Sequence, residues 1–325
     1  MTTVPAVPGR ERAPELSLTE RPAVHRTEQV RKPRGRLLAV LVTARPRQWI
    51  KNLLVIAAAG AAGALGRSGV PLRVGLAFVA FCLISAGIYA LNDCRDAAED
   101  RRHPRKRFRP VAAGELPRSQ ALAFGIVWLT AGLALCFAIR PLLGLVGLGY
   151  VALTLSYTLL WRHVPLVDIG VVAGGFMLRA VAGGVAAPVT LSRWFVLVVT
   201  AAALFIAAGK RHAELVRTSR ADAPPDAKGR RVMRHYTHGG LRLLLAGSAG
   251  CALFAYAVWA FQDIDGFPWR LLTVVPFTVC LLRYGALIRG GGGEAPEEMV
   301  LTDRPLIIGG AVWLLLFALS VHAAS

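Results

Sequence analysis

The apolar residues of this chain fall in blocks, and the blocks decide what it can fold into. They run roughly 49–66, 71–91, 120–139, 141–160, 164–185, 194–209, 241–261, 270–288 and 305–323. Each is close to the roughly 20 apolar residues a helix needs to cross a hydrocarbon core ~30 Å thick. Strands are excluded, because an open sheet edge leaves backbone groups unsatisfied in lipid. The reading is an all-α, polytopic membrane helical bundle of about nine transmembrane helices. With 55% hydrophobic residues in 325 positions, little chain remains for a soluble domain. The first block, with its run of Ala and Gly, fits a span least well. Losing it would invert the topology of everything after it.

The charges set the orientation. A formal charge of +19 on a soluble protein would suggest nucleic acid, but no aromatic-interleaved basic repeat supports that here. No nucleic-acid partner is expected. Lys and Arg instead crowd alternate loops: Arg31 to Lys51, Arg95 to Arg118, Arg162, and Lys210 to Arg234. The opposite loops hold scattered charges such as Arg67, Arg140 and Arg193. Positive residues mark the cytoplasmic side. The protein is therefore placed in the plasma membrane with its N-terminus inside and, on nine spans, its C-terminus outside. Residues 1–36 are rich in Pro, Arg and Glu without periodicity and read as a disordered cytoplasmic tail. Residues 37–325 form the transmembrane domain. The five cysteines form no CxxC pair, so a zinc site is not indicated. An oligomer is compatible with this composition.

The chemistry concentrates at the end of the second block. Asn92 and Asp93 open the stretch, and Asp93, Asp96 and Asp100 follow at i, i+3 and i+7. Those positions share one face of a helix. Three carboxylates on one face repel unless a cation sits between them. Hard oxygen ligands of this kind suit Mg²⁺, which keeps waters and bridges to substrate phosphates. Asn92 adds a neutral oxygen. The plain alternative is a solvated helix end neutralised by Arg95, Arg101 and Arg102. The basic run Lys106, Arg107 and Arg109 that follows favours the metal reading. Carboxylates with a metal beside Lys and Arg suit a pyrophosphate leaving group.

These features resemble a known family. Asn-Asp-x-x-Asp-x-x-x-Asp at residues 92–100, Arg109-Pro110 followed by Gly114, and Arg179 within the fifth block resemble the UbiA superfamily of intramembrane prenyltransferases. The similarity covers nearly everything after about residue 40. Aromatic prenyltransferases of that superfamily carry a second Asp-rich motif after the sixth helix. Here that place reads Lys210-Arg211-His212-Ala213-Glu214, with cations where acids would stand. A single metal cluster with an added Lys-Arg pair suits a ligand with more than one phosphate centre, such as phosphoribosyl pyrophosphate. Arg and Lys are the usual partners of phosphate oxygens.

Several segments resemble one branch, the decaprenyl-phosphate phosphoribosyltransferases of actinobacteria. They are Arg45-Pro-Arg-Gln-Trp-Ile-Lys51-Asn52, the run from His103 to Pro110, the segment after Arg179, and Gly209-Lys210-Arg211-x-Ala-Glu214. The resemblance implies transfer of 5-phosphoribose from phosphoribosyl pyrophosphate to a polyprenyl phosphate, with decaprenyl the expected length. Mg²⁺ would be held by Asn92, Asp93, Asp96 and Asp100, and pyrophosphate would be released. It implies substrate contacts at Lys51, Asn92, Lys106, Arg107, Arg109, Tyr157, Arg179, Lys210, Arg211 and Glu214, and a place early in arabinose-donor synthesis for cell-wall arabinan. An ordinary prenyltransferase using a prenyl diphosphate and an aromatic acceptor is the alternative enzyme, and a transporter the alternative of another class. The acids at Glu294, Glu297, Glu298 and Asp303 either cap the site or are solvated.

Overall fold

A computed structural model describes residues 34–103, 106–161, 164–219, 235–262, 269–290 and 296–323. The expected tail lies almost wholly outside them. Arg34–Ser325 form one compact unit. Among the described residues every regular element is helical: α1 (Arg36–Ala44), α2 (Leu53–Ala61), α3 (Val70–Arg102), α4 (Arg118–Ile139), α5 (Pro141–Leu159), α6 (Val167–Ala186), α7 (Arg193–Thr218), α8 (His238–Phe261), α9 (Trp269–Leu272), α10 (Val274–Arg289), α11 (Pro296–Thr302) and α12 (Arg304–Ala323). Eight helical stretches are long and apolar enough to cross a membrane, and they match the second to ninth blocks. This is an integral membrane protein.

The first block is not one helix. It begins as a 3₁₀ turn, Pro46–Asn52, and continues as the nine residues of α2. Pro46 cannot donate to a preceding turn, and Arg45 before it takes the left-handed region at φ 52°. At 2.0 Å and 1.5 Å rise per residue, the two pieces together reach ~27 Å. The broken segment therefore still has nearly the length of a span.

Burial orders the helices. Over its most apolar stretch α3 is 61% buried and α12 is 11% buried, so α3 runs through the centre and α12 along the rim. Phe81, Ile84 and Ile88 of α3 are fully buried, with Val55, Cys136, Leu143 and Tyr150 packed around them. Large aliphatic side chains such as Leu314 and Leu315 point outward, as a lipid solvent requires. Small residues let helices approach closely. A Cβ on Gly132 would sit 2.7 Å from the Ala80 carbonyl, which fixes how near α4 comes to α3. One on Gly183 would sit 2.0 Å from the Val55 carbonyl, which presses α6 onto α2.

Candidate active site

The acidic face of α3 is assembled as its spacing predicts. Asp93 and Asp100 are both 2% exposed. Nη1 of Arg109 donates to both, at 3.2 Å to Asp93 and 2.7 Å to Asp100. Lys106 stands 4.0 Å from the other Asp100 oxygen. Arg109 returns to the helix because residues 106–117 fold back on α3. Gly114 supplies a left-handed turn at φ 78°, the Leu116 amide donates to the Pro110 carbonyl, and Arg101 donates to the Ala112 carbonyl at 3.2 Å. Arg34 ties the loop from outside, with Nη1 3.1 Å from both the Phe108 carbonyl and Glu115. Arg107 lies on the exposed side of the loop, its guanidinium 4.9 Å from the Phe108 ring.

A second guanidinium reaches Asp93 from Arg45. The left-handed backbone at Arg45 turns its side chain across the Tyr89 ring, 4.9 Å from the centroid, and onto the carboxylate. Tyr89 lies one turn before Asp93 on the same face. Sequence reasoning left Arg45 between binding and anchoring at a helix end and gave Tyr89 no role.

The residues fit a divalent cation. One cation point, now the Arg109 nitrogen, touches carboxylates seven positions apart. Mg²⁺ commonly binds through one or two carboxylates plus substrate phosphates. Among the described residues no three His, Cys, Asp or Glu side chains converge on a metal position. Asp93 and Asp100 are the converging pair. Asp96, on the same face, and Asn92, a step around the helix, are both half-buried.

A second cluster lies beside the first. Arg179 of α6 is 6% exposed, and its partners are neutral oxygens: Asn52 Oδ1 at 2.7 Å, the Gly175 carbonyl at 2.8 Å and the Tyr150 hydroxyl at 2.6 Å. Asn52 comes within reach because Gly183 allows α2 so close to α6. A buried guanidinium without a carboxylate leaves positive charge uncompensated, and inside a membrane helix that marks a functional position. Lys51, next to Asn52, pairs with Glu297 of α11 at 3.2 Å. Gln48 accepts from Lys51 and donates to Glu297. Burial pushes the Glu297 carboxyl up. Lys51, the backbone and Gln48 together outweigh it and hold the group below the usual carboxylate range.

The third expected group behaves differently. Arg211 is 3% exposed and donates to Glu214 at 2.8 Å and to the Tyr157 hydroxyl at 3.1 Å. It also pairs with Asp168, which is fully buried and accepts from Tyr236. Tyr157, Arg211 and Glu214 thus join one internal network that Asp168 neutralises. Lys210, one residue away, is exposed. The structure separates the Lys210-Arg211 pair that the sequence suggested as a unit. Glu297, Tyr150, Asn52, Gln48 and Asp168 were missed as partners. Two of them had a signal: Glu297 in the acidic stretch before the last block, and Asp168 as an acid near the start of the fifth block that either serves the site or is solvated.

The model of the UbiA prenyltransferase family matches residues 53–301. A Corynebacterium glutamicum protein named decaprenyl-phosphate phosphoribosyltransferase is 39% identical over 312 residues, 92% of each chain. A Mycolicibacterium smegmatis protein of the same name is 39% identical over 310 residues, 90% of this chain and 96% of that one. Among solved structures, a UbiA homologue from Archaeoglobus fulgidus bound to GPP and Mg²⁺ superposes with a TM-score of 0.62 at 19% identity. It covers 87% of this chain and 99% of that one.

Proposed function

Because the chain belongs to the UbiA prenyltransferase family, we infer that its acidic face works on a diphosphate, and that it is a decaprenyl-phosphate phosphoribosyltransferase. It transfers 5-phosphoribose from phosphoribosyl pyrophosphate to a polyprenyl phosphate and releases pyrophosphate. The observation that carries the reading is the Asp93–Asp100 pair, brought to one cation point beside Arg45, Lys106 and Arg109. The 39% identity to enzymes of that name over about nine-tenths of the chain supports it.

The geometry supports the following division of labour. Asp93 and Asp100, with Asp96 and Asn92 beside them, would hold Mg²⁺, which supplies charge neutralisation of the leaving pyrophosphate when bound. Arg45, Arg109 and Lys106 bind pyrophosphate oxygens as the bond from the anomeric carbon to pyrophosphate breaks. The new bond joins that carbon to a phosphate oxygen of the lipid acceptor. This nucleophile is already anionic, so no strong base is needed. Lys51 and Arg179 offer donors for the acceptor phosphate. Lys210, exposed at the surface, would bind the 5-phosphate. Arg211 positions Tyr157 and Glu214 rather than binding phosphate with a spare charge. The basic end, with the site, faces the cytoplasm of the plasma membrane, and residues 37–325 act as one catalytic domain. The ordinary prenyltransferase alternative needs acids after the sixth block, and Glu214 there is spent on Arg211.

The test follows label from phosphoribosyl pyrophosphate into the organic phase, using membranes that contain the protein, decaprenyl phosphate and Mg²⁺. Lipid-extractable label, lost in Asp93→Ala, is expected. No label, in a preparation that joins a prenyl diphosphate to an aromatic acceptor, would overturn the assignment.

A further inference from the structure

One buried acid has no part in the mechanism just given. Glu297 is 9% exposed and sits on α11, in the connection between the last two spans. It reaches across to the opposite end of the chain. Its partners, Lys51 and Gln48, belong to the 3₁₀ turn that opens the first segment. The same first segment lies beside α12, where Cβ atoms on Gly60 and Gly63 would stand 3.9 Å from Phe317 and 3.8 Å from Val321. Lys51–Glu297 is thus a polar tie from the first segment to the connection that leads into the last span, made at the rim of a cluster that otherwise offers donors.

Charge counting shows what the tie does. Lys51 and Arg179 carry one positive charge each, and Glu297 carries one negative. A phosphate monoester carries about −1.5 to −2 near neutral pH and presents three acceptor oxygens. Placed against Lys51 and Arg179, it nearly balances them, and the Glu297 carboxylate becomes a surplus negative charge in a poorly hydrated place. A buried charge without a partner is expensive. The phosphate therefore takes Lys51 from Glu297. A neutral alcohol head group gains too little from Lys51 to do so.

We propose that Glu297 is a specificity-determining residue: its carboxylate stands in for the acceptor's phosphate on Lys51, so that only an isoprenoid with an anionic head group displaces it. The proposal rests on the phosphoribosyl-transfer reading for the identity of the acceptor, but not for the displacement itself. The acceptor, rather than the donor, is the ligand because the tie ends on α11, which leads directly into α12 at the lipid-facing rim. The donor's metal and phosphate groups already have Asp93, Asp100, Arg45 and Arg109.

Two measurements test it. In the wild-type protein, a zero-length carbodiimide should join Lys51 to Glu297, as read by peptide mass spectrometry. Farnesyl phosphate should reduce that yield at least fivefold, and farnesol should leave it unchanged. Phosphoribosyl pyrophosphate with Mg²⁺ should also leave it unchanged. This arm needs no turnover, so the displacement can fail while the transfer stands, and the reverse. In Glu297→Gln the KM for the lipid phosphate should fall about fivefold or more while the KM for phosphoribosyl pyrophosphate holds. Absence of the cross-link, insensitivity to farnesyl phosphate, or loss of the cross-link with the donor alone would overturn the proposal. So would an acceptor KM that rises or stays the same in Glu297→Gln.

Discussion

The contact between Gly183 and Val55 links packing to chemistry, and Gly183→Ala should expose the link. The new Cβ would lie 2.0 Å from the Val55 carbonyl oxygen, which is backbone and cannot rotate away. Relieving it to an ordinary contact of 3.4 Å or more moves α2 away from α6 by at least about 1.4 Å, at a cost of roughly 1–3 kcal/mol for overpacking. The same shift acts on the Arg179–Asn52 hydrogen bond, now 2.7 Å. That bond would lengthen past the usual ~3.2 Å limit. Lys51 moves with Asn52, so both cations of the acceptor cluster lose their places. Misplacement of about 1 Å at a reacting centre can cost ~100-fold in rate. Most of the donor side is built on α3 and the loop after it, and Arg45 is set off from α2 by its left-handed backbone and Pro46, so the donor side feels the shift much less. The assay is label transfer at varied concentrations of each substrate, on protein that elutes as a single species. The expected result is about a 100-fold loss in kcat/KM for the lipid phosphate with the donor KM within about twofold. Wild-type acceptor kinetics, or an equal loss for both substrates, would refute the reasoning that Gly183 sets the acceptor cluster through α2.

Other perturbations separate the groups further. Asp168→Asn leaves Arg211 without its fully buried partner. Breaking such a pair typically costs about 3–5 kcal/mol, so thermal unfolding in detergent should show a clear loss, whereas Lys210→Met, at an exposed position, should leave the midpoint nearly unchanged. Chelation should abolish transfer and added Mg²⁺ restore it; activity that survives exhaustive chelation would remove the role given to Asp93 and Asp100. The Glu297 carboxyl is held below its ordinary value of 4.5, so its contribution is fully present above that value. It is lost only as pH falls through the lower folded value. The difference in melting temperature between wild type and Glu297→Gln should therefore be constant from pH 8 to about 5 and shrink below about 4.5.

Much of this architecture was legible in the sequence because membranes impose a strong pattern. Eight of nine blocks became helical stretches long enough to span, since twenty apolar residues in lipid have few alternatives. The first block departed because it opens inside the 3₁₀ turn Pro46–Asn52 and its helix stops before the left-handed Gly63, and a broken helix of small residues has no distinctive period. Asp93 and Asp100 could be placed together because seven residues return to the same helical face. The partners were harder. Gln48 and Glu297 are 249 positions apart, and Arg179 and Asn52 are 127 apart. Local spacing carries no information about such pairs. Sequence also treats all cations alike, so Lys210 and Arg211 looked like one feature. The fully buried Asp168, itself ambiguous in sequence, makes them two.

That distinction gives a way to sort the basic residues of the site. Arg211 has Asp168 and Glu214 and is electrically complete, so an incoming phosphate would have to break buried ion pairs to use it. Arg179 has neutral oxygens as its partners, and with two of its five N–H groups still uncommitted it gains from an anion at no loss. Arg45 and Arg109 lie between these extremes, because they share Asp93. When one turns toward pyrophosphate, the other still covers the carboxylate, so neither movement strands a charge. Lys51 is the case in which the neutralising acid arrives from a different part of the chain. A ligand can exchange with Glu297 there without disturbing α3. The number of cations therefore says little about where phosphate binds. What decides it is how each cation is compensated before the substrate arrives, and that criterion is the ground for proposing Arg45 and Arg109 for the donor and Lys51 and Arg179 for the acceptor.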